Sequence, residues 1–280
     1  MYQILPNTTK ATTKLKNRTT FLYFFKFKDA NNDGATTRQQ FAEHQATCLQ
    51  WLVCEYAFIG VAENSWTHAA IFKFPNVETR NKAMQKGLHS DELEAVQGFA
   101  VQITTPPSFI LSIFKLLRPF AGFWNRREAK VTAEEILKTM DGEGGIAPTK
   151  GQIIRHLQNN RTSKAYMINL LQSHPKAQYS NDKSMVSGAT AYYRRYGLVA
   201  LRSVLMMGGN LILAGRMGKP IIEINVPSLT KGAWEGIGIM EYPTPLGIFD
   251  LEKMPGYKKS LNHRRAGLER TVLIISKKNG

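Results

Sequence analysis

The sequence predicts an α+β protein made of two tandem ferredoxin-like βαββαβ plaits joined by a helical linker. The first observation is that the first part of residues 191–216 carries apolar side chains at three- and four-residue steps, which is typical of a helix with one buried face. Gly208 and Gly209 end that helix, and an apolar strand then leads to Arg216. The second observation is the run of further elements around this stretch, a strand before it and a strand, a helix and a strand after it. Together they give the order βαββαβ.

The third observation is that the first half of the chain gives the same order of elements. Phe74-Pro75 and Tyr242-Pro243 both fall at the end of the third predicted strand, which suggests an internal duplication. The predicted elements of the first plait are a strand at 21–28, a helix at 37–52, strands at 56–61 and 68–74, a helix at 77–86 and a strand at 99–103.

The second plait is predicted from the same signals. Its elements are a strand at 165–171, the helix at 190–207, strands at 210–216 and 236–242, helical segments at 245–254 and 257–267, and a strand at 271–277. The predicted domain organisation is a basic flexible leader (1–20), an N-terminal degenerate plait (21–105), a helical linker (106–160) and a C-terminal plait carrying the site (161–280).

Composition bounds the class of protein. The 280 residues contain 43% hydrophobic and 21% charged side chains, which is typical of a folded globular chain. The 37 lysines and arginines outweigh 21 acidic residues, and a net charge of +16 attracts polyanions such as anionic lipid or nucleic acid. The strands lack the exposed aromatic pattern of an RNA-binding sheet, so no nucleic-acid partner is predicted. With two cysteines only and no apolar signal segment, we expect a cytoplasmic location.

The linker raises the question of a membrane. Residues 109–124 are mostly apolar, but they are too few and too interrupted by charge to span a bilayer. One interpretation is a helix packed across the two domains, and the other is an interfacial helix at an anionic membrane surface. The residues predicted to contact the membrane in the second interpretation are Phe109, Phe114, Lys115, Arg118 and Trp124.

Several motifs of the second half resemble a bacterial family known as domain of unknown function thirteen-thirty. They are Tyr166-Met-Ile-Asn-Leu-Leu171, Tyr193-Arg-Arg-Tyr-Gly197, the glycine-rich segment ending at Arg216, Trp234, Glu241-Tyr-Pro243, Tyr257 and His263-Arg264. The resemblance covers about residues 146–276. It implies membership of the dimeric α/β-barrel superfamily, in which two plaits join their sheets around a pocket. In this chain it therefore implies a pseudo-dimeric α/β barrel, with a single competent site in the second half.

Candidate site residues follow from these motifs, and each has two interpretations. Asn169 is either a pocket-facing amide or a residue that bonds local backbone, and Arg216 either binds a ligand oxyanion or pairs with Glu241. His263 is either a general base or an exposed helix residue. The predicted catalytic residues are Asn169, Arg216 and His263, and the predicted substrate-binding residues are Tyr193, Tyr196, Trp234, Glu241 and Tyr257.

The function predicted from these residues and from the resemblance is a cofactor-independent enzyme of cyclase, isomerase or monooxygenase type. It would act on a hydrophobic, oxygen-bearing small molecule, at a membrane surface if the linker is interfacial. The alternative is a non-catalytic module that binds a hydrophobic ligand or a protein. No cofactor and no metal are predicted, because the sequence carries no HExxH, CxxC or Ser/His/Asp spacing. A homo-oligomer is left open.

Overall fold

The chain folds around one closed barrel. The computed structural model describes residues 2–3, 17–29, 31–60, 66–86, 89–104, 106, 108–116, 119, 145–180, 186–227 and 230–278. The strands are β1 (Tyr2–Gln3), β2 (Thr20–Phe27), β3 (Thr47–Ile59), β4 (His68–Lys73), β5 (His89–Ser90), β6 (Leu93–Ile103), β7 (Ala165–Ser173), β8 (Asn210–Arg216), β9 (Ile222–Ile224), β10 (Gly236–Tyr242) and β11 (Leu268–Lys278). Helices α1 (Ala35–Glu43), α2 (Val77–Lys86), α3 (Ser108–Leu116) and α4 (Lys150–Leu157) precede a π-helix (Thr190–Tyr196), α5 (Gly197–Met206), α6 (Gly247–Asp250), a 3₁₀ turn (Leu251–Lys253) and α7 (Tyr257–Gly267).

The main sheet runs in the order β2-β4-β3-β11-β7-β10-β8-β6 and closes because β6 also pairs with β2. All these pairings are antiparallel, and β9 adds to one side of β6. The prediction of two tandem ferredoxin-like plaits forming a pseudo-dimeric α/β barrel is wrong, since the strands make one eight-stranded antiparallel barrel with helices outside. The physical reason is edge pairing. A separate plait would leave edge strands open, whereas here β3 pairs with β11 and β6 with β8.

The predicted helix at 37–52 is also wrong in its second part. Helix α1 ends at Glu43, Gln45 takes a positive φ of 60°, and the chain turns into the long strand β3. Pairing on both sides, with β4 and β11, satisfies the backbone of β3 and outweighs the helical spacing of its apolar residues. The strands at 21–28, 68–74, 210–216 and 236–242 and the helices at 77–86 and 257–267 are confirmed to within one residue.

The barrel interior is filled by side chains rather than open. Every barrel strand contributes to one apolar cluster, which includes Leu22, Leu52, Ile71, Phe99, Ile168, Leu213, Ile239 and Ile274. Because side chains alternate along a strand, the residues between these positions point outward, beneath the helices. The residues at these outward positions differ between the first and second halves of the chain, and the candidate site lies on the outer face of the second half.

Aromatic residues fill the outer face of the first half. Tyr23 stacks on Phe25 with ring centroids 5.6 Å apart, and Phe41 of α1 stacks on Phe72 at 3.7 Å. These rings form a buried cluster with Ala83 and Met84 of α2. The outer face of the second half carries another buried cluster, which includes Phe58, Met167 and Ile275, and beside that cluster it borders a cavity.

The predicted leader and linker fall largely outside the described residues. Residues 4–16 of the leader, most of 117–144, and with them Arg118 and Trp124, are not described. Within the described residues, no helix has both the length and the apolar character needed to cross a membrane.

Candidate functional site

A cavity of about 1200 Å³ lies between the outer face of the second half of the barrel and the helices that cover it. Its floor is formed by β7, β8, β10 and β11, and its roof by the π-helix, α5 and α7. Cavities of this size are large enough for a drug-sized ligand. The pocket is therefore outside the barrel, not between two facing sheets.

The cavity exists because the floor carries very small residues. In the strand register, Gly238 of β10 lies between Asn169 of β7 and Ala214 of β8. No heavy atom lies within 4 Å of the position that a Cβ at Gly238 would take. The alternation of glycine in Gly236-Ile-Gly238 leaves one face of β10 bare while its isoleucines enter the barrel core.

Asn169 faces this cavity from the middle of a fully paired strand. Within the described residues, its amide nitrogen makes one hydrogen bond, a long one of 3.4 Å to the carbonyl oxygen of Met167. The amide oxygen accepts no hydrogen bond from the part of the chain that the structure describes. The side chain is half-buried and borders the cavity, so the amide can bind a ligand from there.

Arg216 borders the cavity two residues after Ala214 on β8, where it pairs with Gly236 of β10. Its guanidinium forms no ion pair with Glu241 or with any other residue in the described ranges. Glu235 also borders the cavity, and its carboxylate accepts hydrogen bonds from the backbone N–H and the hydroxyl of Ser173. Arg216 thus brings a positive charge to this end of the cavity.

Tyr193 extends from the π-helix towards the same end. A Cβ at Gly236 would meet its hydroxyl, so glycine at this position allows the close approach. Burial, together with the charge of Glu235, raises the pKa of Tyr193 above its usual value, while Arg216 opposes the shift. The phenol is therefore neutral at pH 7 and serves as a hydrogen-bond donor.

The π-helix sets the positions of the tyrosines. The N–H of Gly197 donates to the carbonyl of Tyr192 five residues earlier, the spacing that defines a π-helix. Gly188 and Gly267 approach each other so closely that a Cβ at either would strike backbone atoms, which seats the start of the π-helix against α7. Tyr192, Tyr193 and Tyr196 all border the cavity as a result.

The other predicted site residues lie elsewhere. Trp234 is 1% exposed and belongs to the barrel core, where its indole N–H donates to the carbonyl of Thr230 at 2.9 Å. His263 does not border the cavity. Its Nδ1 lies 2.7 Å from the hydroxyl of Tyr179, so its predicted role in proton transfer has no geometric support.

The Glu241 carboxylate, at one end of the barrel, is held by hydrogen bonds from neighbouring side chains. It accepts hydrogen bonds from Tyr166 (2.8 Å), Lys164 (3.0 Å) and Asn210 (2.8 Å). Burial raises the pKa of this carboxyl, but the three donors outweigh burial and the net shift is downward. Of the eight predicted site residues, the cavity brings together Asn169, Arg216, Tyr193, Tyr196 and Tyr257.

Sequence reasoning missed the glycine floor and Glu235. The signal for the floor was present, because glycine at every second position of a strand leaves one face of the sheet without side chains. No comparable signal marks Glu235. Within the described residues, no group of three or more histidine, cysteine or acidic side chains is arranged to hold a metal ion.

Fold and site thus define an α+β protein built on a closed antiparallel barrel with one large cavity under its outer helices. No family model matches the chain, and no curated protein matches it. Among solved structures, a protein of unknown function from Rhodopseudomonas palustris is similar at 26% identity over 49% of this chain and 98% of its own length, with a TM-score of 0.41. A methylated form of that protein is similar at 28% identity over 49% of this chain and 96% of its own length, with a TM-score of 0.41. At this TM-score the similarity supports no statement about function.

Proposed function

We propose that this protein binds a hydrophobic small molecule carrying a carboxylate or another anionic oxygen group. The observation that carries the proposal is the open floor of the cavity, in which Asn169, Gly238 and Ala214 lie side by side with Arg216 one step away. An apolar floor stabilises a hydrophobic body through burial. The exposed Arg216 guanidinium, which has no ion pair within the described ranges, favours an anion. On the corresponding face of the first half, packed aromatic rings occupy the space beneath the helices.

Replacing Arg216 with methionine tests the anionic contact. We expect the affinity for dodecanoate, measured by displacement of anilinonaphthalene sulfonate fluorescence, to fall about 10- to 100-fold, because hydrogen bonds to a charged group contribute about 1.5–3 kcal/mol. Lys219→Met is the matched control, since it removes one exposed positive charge just after β8 without touching the cavity. Absence of saturable binding to the wild type, or equal affinity in Arg216→Met, would contradict the proposal.

A second candidate is the cofactor-independent enzyme, and one observation favours it. The Tyr193 phenol, protonated at pH 7, shares its end of the cavity with Arg216 and Glu235. In this proposal the Glu235 carboxylate takes the acidic C–H proton of the substrate, Tyr193 rather than His263 donates a proton to the substrate oxygen, and Asn169 and Arg216 stabilise the charge that develops on that oxygen. Cyclase, isomerase and monooxygenase reactions that begin by forming an enolate develop such charge on oxygen.

Proton transfer can be separated from binding with a β-keto acid probe in deuterium oxide. The enzyme proposal predicts that the wild type accelerates exchange of the acidic C–H, and that Tyr193→Phe slows this by about 100-fold, the scale of general acid catalysis. The affinity for the probe should change much less. Tyr179→Phe, outside the cavity, serves as the control. If the wild type binds the probe but exchange proceeds at the uncatalysed rate, the enzyme proposal is wrong and the binding function remains.

We further propose that α3 attaches the protein, in the cytoplasm, to an anionic membrane surface. Three of its apolar side chains lie on one helical side at i, i+4 and i+7 and are exposed, Phe109 by 65%, Ile113 by 52% and Leu116 by 74%. Phe114 is half-buried, Lys115 is exposed, and α3 packs against α5. An exposed apolar stripe on a chain of net charge +16 fits a surface that is both apolar and negative.

Changing Phe109, Ile113 and Leu116 together to serine should reduce co-sedimentation with vesicles containing phosphatidylserine by at least about tenfold, since the buried apolar area is lost. Leu49→Ser, which alters a 43% exposed leucine on β3, is the control. Binding by the triple variant equal to that of wild type would exclude this helix, and a loss of self-association instead would show that α3 contacts a second copy.

A further inference from the structure

The cavity has a second polar region at the end away from Arg216, formed by four tyrosines. Tyr196, Tyr242 and Tyr257 are only 8%, 6% and 7% exposed, and Tyr192 packs beside them. All four border the cavity. Buried phenol groups normally find hydrogen-bond partners, so the pairing of these hydroxyls indicates what they bind.

The four hydroxyls supply more donors than the protein uses. The hydroxyls of Tyr196 and Tyr257 lie 3.1 Å apart, so one donates to the other and the acceptor keeps its own proton unpaired. In the described part of the chain, neither the Tyr192 nor the Tyr242 hydroxyl makes a hydrogen bond. Burial raises the pKa of Tyr192, Tyr242 and Tyr257, so these phenols retain their protons across the physiological range.

The electrostatics of this end favour an acceptor from the ligand. Arg264 borders the cavity and acts on Tyr192 and Tyr257 with a positive charge that opposes the rise in their pKa. A group of donors beside a cation is suited to a carbonyl, carboxylate or hydroxyl oxygen.

The two polar regions lie at opposite ends of β10. Arg216 is the register partner of Gly236 at its start, and Tyr242 is its last residue. Six steps along a strand, at about 3.4 Å each, separate the backbone at Gly236 from the backbone at Tyr242 by roughly 20 Å. Tyr192 lies between these ends, since its ring centroid is 5.1 Å from that of Tyr193. Apolar groups lie between, among them Gly238, Met240 and Leu273.

From this arrangement we infer that the ligand is elongated and carries an oxygen group at each end. An anionic group binds at Arg216, an apolar chain crosses the glycine floor, and an acceptor oxygen binds at the four tyrosines. The inference rests on the proposed binding function and adds the second oxygen group and the length.

Dodecanoic acid and its ω-hydroxy derivative test the second polar region, because they differ only at the far end. We expect the wild type to bind the ω-hydroxy acid about tenfold more tightly in the displacement assay, the effect of one well-placed hydrogen bond. Tyr242→Phe should abolish this preference, so that the variant binds the two acids with equal affinity. Tyr179→Phe, whose hydroxyl bonds His263 outside the cavity, should retain the preference.

The possible outcomes separate the inference from the function on which it rests. If the wild type binds both acids equally, or if Tyr242→Phe keeps the preference, the second polar region is disproved and the binding function stands. If neither acid binds, both proposals fail. A circular dichroism spectrum and melting curve of Tyr242→Phe that match wild type show that the variant is folded.

Discussion

Replacing Gly238 with phenylalanine is expected to abolish ligand binding while the protein remains folded. The position has no heavy atom within 4 Å of a Cβ and lies at the centre of the cavity floor, between Asn169 and Ala214. A phenylalanine there occupies the space of the apolar ligand body without displacing core side chains, which distinguishes it from ordinary overpacking. We expect the affinity for dodecanoate to fall by about 100-fold or more, equivalent to about 2.7 kcal/mol.

Gly238→Ala is the matched control. Its methyl group enters open space, so binding should change by no more than a few fold. The free energy of unfolding should rise by about 0.5–1 kcal/mol, because glycine is unfavourable inside a strand. Gly236→Ala provides a contrast, since its methyl group would meet the Tyr193 hydroxyl and displace it. A Gly238→Phe variant that still binds dodecanoate with wild-type affinity would place the ligand elsewhere.

This prediction depends on a feature that was visible in the sequence but not interpretable from it. The alternation Gly236-Ile-Gly238-Ile239 shows a strand with one bare face, yet a bare face can be exposed, can touch another backbone or can floor a cavity. The register that places Gly238 between Asn169 and Ala214, together with the helices above the sheet, shows that the bare face forms the floor of a cavity. Tertiary structure supplied the meaning of a local pattern.

The closure of the barrel was not predictable from local pattern. The seam between the halves pairs residues as distant as Cys54 and Ser276, and the other seam joins Gln102 to Arg216. Strand propensity and alternation identify β8 and β10 to the residue, but they contain no information on which strand lies beside another. Apolar spacing in residues 37–52 misled for a related reason, because β3 is buried by partners far away in the chain.

The predicted site residues differ in how far their positions could be inferred from neighbouring residues in the sequence. Asn169 was singled out because an amide among apolar strand residues needs an explanation, and the structure brings it to the cavity wall. His263 is predicted from its residue type and from the resemblance carried by His263-Arg264. Its orientation depends on how α7 meets the segment carrying Tyr179, which no spacing in the sequence could indicate.

The free energy of unfolding is expected to decrease as pH falls from about 6.5 to 4, because two buried histidines are neutral in the fold. Burial lowers the pKa of both His156 and His68 to about 4, and nearby Arg38 adds to the shift at His68. The unfolded chain binds protons at these histidines below its pKa of about 6.5, while the folded protein does not, so unfolding takes up protons in this window. Each histidine should lower the free energy of unfolding at pH 4 by about 2–3 kcal/mol relative to neutral pH. Above pH 6.5 both states are neutral at these histidines, so this loss is absent.

His156→Gln isolates one of these two contributions from the general effect of positive charge. His156 joins α4 to β3 and to the chain at Pro245, with Nδ1 2.7 Å from the Tyr56 hydroxyl and Nε2 3.0 Å from the Pro245 carbonyl. Glutamine can accept from the tyrosine and donate to the carbonyl without titrating, so denaturant unfolding of the variant should lose about 2–3 kcal/mol less than wild type between pH 7 and pH 4. Because the net charge of +16 is common to both proteins at neutral pH, acid repulsion cancels in the difference. Equal pH dependence of wild type and variant would mean that His156 is protonated in the fold, and the buried link between α4 and the barrel would then have to accommodate a charge.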